Sequence, residues 1–201
     1  MLSLIPQILW AIVAVVLALL FREPVSVWIR GLKVSWGDFK AEPQTLAQVE
    51  RKVNENASAV QVSPKDVRGW ELIVLKLLER EFGGNMRPDV RLHDVPFDAV
   101  TWGSHQGRVI GIQIKFASTP ERAQAQIAPL VATAEQIART YYPGVFSVVL
   151  AFVVSGISRS AAKEQQEDWQ RLANAGTGMK VFVRVFDMVT LSTEDSRPTV
   201  G

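Results

Sequence analysis

Residues 95–116 constrain the fold of this chain more than any other stretch. Apolar and polar residues alternate on both sides of residues 103–107, which contain two glycines. This pattern is typical of two antiparallel strands joined by a short turn. In the second strand, one side is strongly apolar and consists of Ile110, Ile112, Ile114 and Phe116. The sequence therefore predicts a β-hairpin with that side buried.

The predicted hairpin carries three polar side chains in what should be the interior of a small sheet. Asp98 lies near the middle of the first strand, where alternation places it on the same side as Val100. Gln113 and Lys115 project together from the second strand. Burying a carboxylate, an amide and an ammonium costs free energy unless they are paired or coordinated. The hairpin is therefore predicted to be a functional site.

A well-marked helix precedes the hairpin. Ser63 can cap it, Pro64 suits its first turn, and Gly83 can end it. Glu71 falls within its apolar stripe, which consists of Val67, Val74, Leu75, Leu78 and Phe82. This carboxylate either pairs with an arginine or faces the sheet that carries Asp98. In the second arrangement the two carboxylates repel each other when no metal is present.

Alternating elements follow the hairpin. Residues 120–142 are predicted to form a helix, residues 145–155 a strand buried on both faces, residues 158–176 a helix and residues 179–187 a strand. This order predicts an α/β domain with a mixed central sheet over residues 63–188. The polar residues 189–201 are predicted to be a flexible tail.

The amino-terminal residues 1–21 contain no charged side chain and are long enough to span a bilayer. A cleaved signal peptide is the alternative, but the basic start and small-residue cleavage site that it needs are missing. Basic residues follow the apolar run, namely Arg22, Arg30, Lys33 and Lys40. They predict a single-pass anchor in the cytoplasmic (inner) membrane, with the carboxyl-terminal domain in the cytoplasm. Residues 22–62 are predicted to be a juxtamembrane connector with a small hairpin and a polar linker.

Composition excludes some chemistry and leaves the partner open. The chain has no cysteine, so disulfides and thiolate metal sites are excluded. Its net charge of +2 permits an anionic partner without requiring one. The sequence also lacks a glycine-rich phosphate loop and a nucleophile elbow.

Together, Glu71 on the helix, Asp98 in the stretch PFDAV and the tripeptide Gln113-Ile114-Lys115 resemble the PD-(D/E)XK nuclease superfamily. The closest resemblance is to its Mrr-like restriction endonuclease branch. The predicted order of elements over residues 63–155 also resembles the αβββαβ core of that superfamily. The resemblance implies a restriction-endonuclease-like, three-layer αβα fold. It further implies metal-dependent hydrolysis of nucleic acid, double-stranded DNA above all, in defence against foreign DNA.

Roles for individual residues also come from this resemblance. Asp98 would be the principal ligand of Mg²⁺ or Mn²⁺ and Glu71 a second acid, with the Gln113 amide oxygen and the Ile114 carbonyl as further ligands. Lys115 would hold the scissile phosphate or activate water. Four arginines are candidate phosphate contacts: Arg87, Arg91, Arg108 and Arg122. A homodimer is expected if both strands of a duplex are cut.

Two departures from the family pattern leave two functions open. Phe97 precedes Asp98, so the Pro-Asp pair is not intact, and Gln113 stands at the acidic position of the tripeptide. The Mrr-like branch has a Gln-x-Lys variant, which is compatible with an active, membrane-anchored nuclease. The alternative is a catalytically inactive nuclease-fold module, tethered to the membrane for binding nucleic acid or protein.

Overall fold

A computed structural model of the chain describes residues 41–83, 85–102 and 108–195. In this part, six strands form one sheet: β1 (Ala41–Pro43), β2 (Asn85–Leu92), β3 (Val95–Trp102), β4 (Val109–Ala117), β5 (Phe146–Val154) and β6 (Lys180–Asp187). The helices are α1 (Leu46–Val60), α2 (Pro64–Phe82), α3 (Pro120–Thr140), α4 (Arg159–Asn174) and α5 (Met188–Asp195). The predicted α/β class with a mixed sheet is confirmed.

The strands follow one another across the sheet in sequence order. Strands β1 to β4 are antiparallel neighbours, and β4, β5 and β6 run parallel to one another. Helices cover both faces, with α1, α2 and α5 packed on one core and α3 and α4 on the other. Every residue of β5 is buried, as its continuous apolar sequence predicts.

The predicted hairpin is present as β3 and β4. Its ladder runs from Trp102–Val109 to Ala99–Ile112, and the predicted turn at residues 103–107 lies outside the described residues. The apolar side of β4 is buried, as predicted, and it packs against α1 and α2. These contacts place the hairpin directly under the helix that carries Glu71.

Local signals set the limits of α2. The Ser63 side chain accepts a hydrogen bond from the Asp66 backbone N–H, and Pro64 occupies the first turn. The helix ends at Gly83, whose φ of 63° with a ψ of −167° is favourable only for glycine. All five predicted stripe residues are buried, and so is Glu71. Packing of this apolar stripe on the sheet brings the Glu71 carboxylate to the site.

At both ends, the packed region extends beyond the predicted domain. Strand β1 pairs with β2, and α1 buries Val53, Ala57 and Val60 within the stretch predicted to be a connector. Their helical spacing provides a narrow apolar stripe inside an otherwise polar sequence.

After β6, residues predicted to be a flexible tail form α5. Leu191 is buried in the core that contains α2, and the Thr190 backbone N–H donates to Asp187 Oδ1 at 2.8 Å. Residues 196–201 lie outside the described part of the chain.

Within the described ranges, no helix combines the length and hydropathy that crossing a membrane requires. The predicted anchor at residues 1–21 lies outside these ranges, as does the predicted small hairpin of the connector. Both stay predictions.

Gly111 in β4 is required by the packing of two aromatic rings. A Cβ at this position would lie 2.5 Å from Phe97 Cε1 and 3.0 Å from Phe146 Cζ, and both rings are buried. We expect Gly111→Ala to destabilise the protein by about 1–3 kcal/mol, because the rings must leave their packed positions. Denaturant unfolding would measure the loss.

Gly69→Ala is the matched control for this substitution. Nothing lies within 4 Å of a Cβ added at Gly69 in α2, so alanine should be neutral or stabilising by up to about 1 kcal/mol. Equal unfolding midpoints for the two variants would contradict the packing argument.

Candidate active site

Strands β3 and β4 separate at Asp98. Their ladder ends at Ala99–Ile112, and beyond it the Ile114 backbone N–H donates to Asp98 Oδ2. The β2–β3 ladder also has no residue pair at Asp98. Asp89, the residue of β2 at the same position, has a φ of 50°. A carboxylate thus replaces a strand carbonyl as the acceptor, and its second oxygen is left for other partners.

The separation also changes the face on which residues of β3 lie. Phe97 and Val100 pack in the core with α3 and α4, whereas Ala99 packs in the opposite core. Strict alternation is therefore interrupted at Asp98. The expectation that Asp98 lies on the side of Val100 is wrong, because the Asp98 carboxylate reaches α1.

Lys52 of α1 lies between the two predicted acidic residues. Its Nζ is 2.7 Å from Glu71 Oε1 and donates a hydrogen bond to Asp98 Oδ1. The contact with Glu71 is likewise an ion pair at hydrogen-bonding distance, so the ammonium occupies one oxygen of each carboxylate. The expected repulsion between the two carboxylates is replaced by attraction to a shared ammonium.

The charges around Lys52 determine its protonation. Burial acts to lower the pKa of this lysine, because it disfavours the charged form. The Coulomb attraction of Asp98 and Glu71 and the hydrogen bonds to them together outweigh that effect, so the pKa of Lys52 is raised. Lys52 is therefore a resident cation of the site.

Arg68 holds the other oxygen of Glu71. It lies one turn before Glu71 on α2, with Nη1 2.9 Å from Glu71 Oε2 and Nη2 2.7 Å from Asp89 Oδ2. The hydrogen bond to Asp89 is the main reason that the pKa of Arg68 is raised. Glu71 thus pairs with an arginine and also approaches Asp98, so the two alternatives for this residue occur together. Three carboxylates and two cations alternate along this network, which leaves one net negative charge.

The side-chain oxygen of Gln113 is a buried acceptor to which no group donates a hydrogen bond. The Gln113 Nε2 donates to the Pro96 carbonyl at 3.3 Å, while Oε1 has no hydrogen-bond partner and is inaccessible. Gln113 lines the same cleft as Asp98. A buried oxygen without a donor is costly, and a cation bound in the cleft would relieve that cost.

Lys115 is half-buried and lines this cleft as well. The other cations along the cleft have acidic partners: Arg51 pairs with Glu55, Arg91 with Asp94 and Lys52 with Asp98. Among the described residues that line the cleft, Lys115 is the cation without a recorded ion pair. Its ammonium is therefore the one most available to an anionic ligand.

The four predicted phosphate-binding arginines do not converge. Arg91 lines the cleft, whereas the Arg87 guanidinium lies 5.0 Å from the Trp102 ring centroid. Arg108 lines a different pocket, together with Glu135 and Lys180. Arg122 is exposed near the start of α3, where its Nη1 donates to Ser118 Oγ. Only Arg91 of the four thus contributes to the cleft.

The oxygen donors in the cleft suit a hard divalent cation. Mg²⁺ is commonly bound by one or two carboxylates together with water and substrate oxygens. Asp98 and the unpaired Gln113 oxygen provide such donors, and Glu71, which does not line the cleft, is joined to Asp98 by Lys52. No three His, Cys, Asp or Glu side chains converge within the described ranges. Ile114 contacts the site through its N–H, and the carbonyl role implied by the resemblance stays a prediction.

Sequence reasoning missed four residues of the site: Lys52, Arg68, Asp89 and Gln44. The Gln44 Nε2 donates to the Phe97 carbonyl at 2.7 Å and so supports β3 beside Asp98. A signal for Lys52 was available, because Lys52 follows Val49 by three residues and precedes Val60 by eight, on one helical face. A charged residue on an apolar stripe predicts a buried partner, as it did for Glu71.

Comparison with protein-family models finds no match for this chain, and a search of curated proteins finds none either.

Proposed function

We propose that this chain is a metal-dependent nuclease that hydrolyses phosphodiester bonds, with double-stranded DNA as the substrate. One observation carries the proposal: Asp98 of β3 lines one cleft with Gln113 and Lys115 of β4 where the two strands separate, and Lys52 joins Asp98 to Glu71 of α2. A purely structural ion-pair network would account for the acids. It leaves the orphaned Gln113 oxygen and the available Lys115 ammonium without a role.

The layering of the domain supports the same proposal. Helices cover both faces of the mixed sheet, and the order α2, β2, β3, β4, α3, β5 matches the αβββαβ order of the resemblance. We therefore propose a restriction-endonuclease-like core of the PD-(D/E)XK type, closest to its Mrr-like branch.

In this proposal the acids and the amide form the cation site. Asp98, Glu71 and the Gln113 oxygen would hold Mg²⁺ or Mn²⁺, which when bound polarises the phosphoryl group and lowers the pKa of water. Arg68 and the Ile114 N–H orient the two carboxylates. Lys115 holds a phosphate oxygen or orients the attacking water, and Arg91 contacts the phosphate backbone at the edge of the cleft.

A second candidate function is a catalytically inactive nuclease fold that binds nucleic acid or protein. The observation in its favour is Lys52, which already neutralises the two carboxylates that a metal would need. In this alternative the ammonium is a permanent substitute for the metal.

A cleavage assay separates the two candidates. The full-length chain would be incubated with supercoiled plasmid, linear duplex, single-stranded DNA and RNA, each with Mg²⁺, Mn²⁺ or a chelator. The nuclease proposal expects cleavage of the plasmid with a divalent ion and none with the chelator. Binding of nucleic acid without cleavage under any of these ions would support the binding module instead.

We also propose that residues 1–21 anchor the protein once in the inner membrane, with the carboxyl-terminal domain in the cytoplasm. The uncharged apolar run and the basic residues after it support this topology. A cytoplasm-active reporter fused after Gly201 should be active, and an exterior-active reporter should not. The opposite pattern, or release of a soluble mature form, would contradict the anchor. A role in defence and a homodimer that cuts both strands follow from the resemblance alone.

A further inference from the structure

The ammonium of Lys52 and a divalent cation need the same oxygens. Lys52 Nζ contacts Glu71 Oε1 and Asp98 Oδ1 at once, and these two acids are the carboxylates of the proposed metal site. Two cations so close together repel each other strongly, and this repulsion is screened least where the side chains are buried. Both cannot occupy the space between the carboxylates.

We propose that Lys52 is an internal competitor for the metal, so that α1 holds the site closed until a divalent cation displaces the ammonium. This inference rests on the proposed nuclease function and states how that site is regulated. In the metal-free protein Lys52 keeps the two carboxylates neutralised and in place. In the metal-bound protein its ammonium leaves them and enters the cleft.

The position of Lys52 provides a path for this exchange. Lys52 lines the cleft, and its side chain is 16% exposed, whereas that of Glu71 is 1% exposed. A lysine stem has four rotatable carbons, so the ammonium can turn into the cleft without a change in the α1 backbone.

Helix α1 also buries little apolar side-chain volume against the sheet. It buries Val53, Ala57 and Val60, which are small side chains, and Asn56, whose Nδ2 has no hydrogen-bond partner. By comparison, α2 buries Leu75, Leu78 and Phe82 among others. The ion pairs of Lys52 are therefore a substantial part of what holds α1 on the sheet. Their loss on metal binding should loosen this helix.

Metal affinity of the full-length chain tests the proposal directly. Calorimetric titration with Mn²⁺ alone, and with Mg²⁺ alone, would compare wild type with Lys52→Met, which keeps most of the aliphatic stem. We expect Lys52→Met to bind each metal at least about tenfold more tightly, because no cation must be displaced. Without metal this variant should unfold a few degrees lower, and Mn²⁺ should raise its Tm more than that of wild type.

Lys76→Met is the matched control, because it makes the same substitution on α2. Lys76 is exposed and does not line the cleft. Its general electrostatic effect on the metal is screened by solvent and salt, so the affinity should change by less than about threefold.

Hydrogen exchange of the wild type is a second readout that does not depend on folding of a variant. Saturating Mn²⁺ should increase amide exchange in α1 while leaving α3 and α4 unchanged. Equal amide exchange in α1 with and without bound Mn²⁺ would contradict displacement of the Lys52 ammonium by the metal.

The outcomes separate this inference from the proposed function. If wild type binds Mn²⁺ and Asp98→Asn does not, but Lys52→Met binds no more tightly than wild type, the competition is overturned and the metal site stands. If neither wild type nor Lys52→Met binds either metal, the proposed function fails and the inference fails with it. Tight binding by Lys52→Met with none by wild type would overturn the displacement and favour the inactive module, in which the Lys52 ammonium permanently replaces the metal.

Discussion

Asp98→Asn is expected to reduce metal-dependent cleavage by about 10³-fold or more. In the proposed function, the Asp98 carboxylate provides the principal negative charge for the metal, and metal stabilisation of a phosphoryl transition state contributes several kcal/mol. Each 1.4 kcal/mol corresponds to a factor of ten in rate, so a loss of about 4 kcal/mol gives this figure. The measurement is the initial rate of plasmid cleavage at saturating Mg²⁺.

The fold of this variant should survive. An asparagine oxygen can still accept the hydrogen bond from the Ile114 N–H, and Lys52 keeps Glu71 as a partner. We expect a loss of about 1–2 kcal/mol in the free energy of unfolding, because Lys52 loses one charged partner. The sequence alone predicts repulsion between Glu71 and Asp98 without metal, and removal of one of these charges would then stabilise the protein instead.

Asp168→Asn is the charge-matched control for this experiment. Asp168 lies on α4, and its side chain is half exposed and paired with Arg171. Its substitution should leave the cleavage rate within about twofold of wild type. Cleavage by Asp98→Asn at the wild-type rate would remove Asp98 from the reaction and with it the proposed site.

Lys115→Met is expected to lower kcat by about 10²–10³-fold while metal affinity changes little. A positioned acid, base or charge that acts on the reacting phosphate contributes about this factor. Lys115 has no recorded ion pair with the carboxylates, so its loss should not disturb the oxygens that bind the metal. Methionine keeps most of the stem, which is half-buried.

Two measurements are needed for Lys115. Steady-state kinetics give kcat and KM, and calorimetric titration with Mn²⁺ gives the metal affinity of the same preparation. Lys76→Met on the exposed face of α2 serves as the control for removal of a lysine charge. An equal loss of metal affinity and kcat would assign Lys115 to the metal site and contradict a role on phosphate or water.

Much of the architecture could be predicted from the sequence because its signals are local. The cap at Ser63, the end of α2 at Gly83 and the continuous apolar run of β5 act within a few residues of themselves. The burial of Glu71 was also predictable, because helical spacing alone places it on the apolar stripe. These elements lie where the patterns indicate.

The network around the site could not be predicted from local patterns. Lys52 is 46 positions from Asp98 along the chain, and their ion pair depends on how α1 crosses the separated strands. The hydrogen bond from the Ile114 N–H to Asp98 requires a ladder that stops at Ala99–Ile112. Strand alternation assumes a continuous ladder, and for this reason it placed Asp98 on the wrong side.

The sequence by itself determined α2, the hairpin of β3 and β4, the strand β5 and the polar residues that α2 and the hairpin carry. Helix caps, apolar periodicity and buried polar residues are properties of short segments. Only the tertiary structure decided the electrostatic state of that site. It brings Lys52 between Glu71 and Asp98, joins Glu71 to Asp89 through Arg68, and leaves Lys115 without an acidic partner in the cleft. The reason is physical: whether a buried charge is balanced depends on groups distant in sequence, and three-dimensional packing sets their distances.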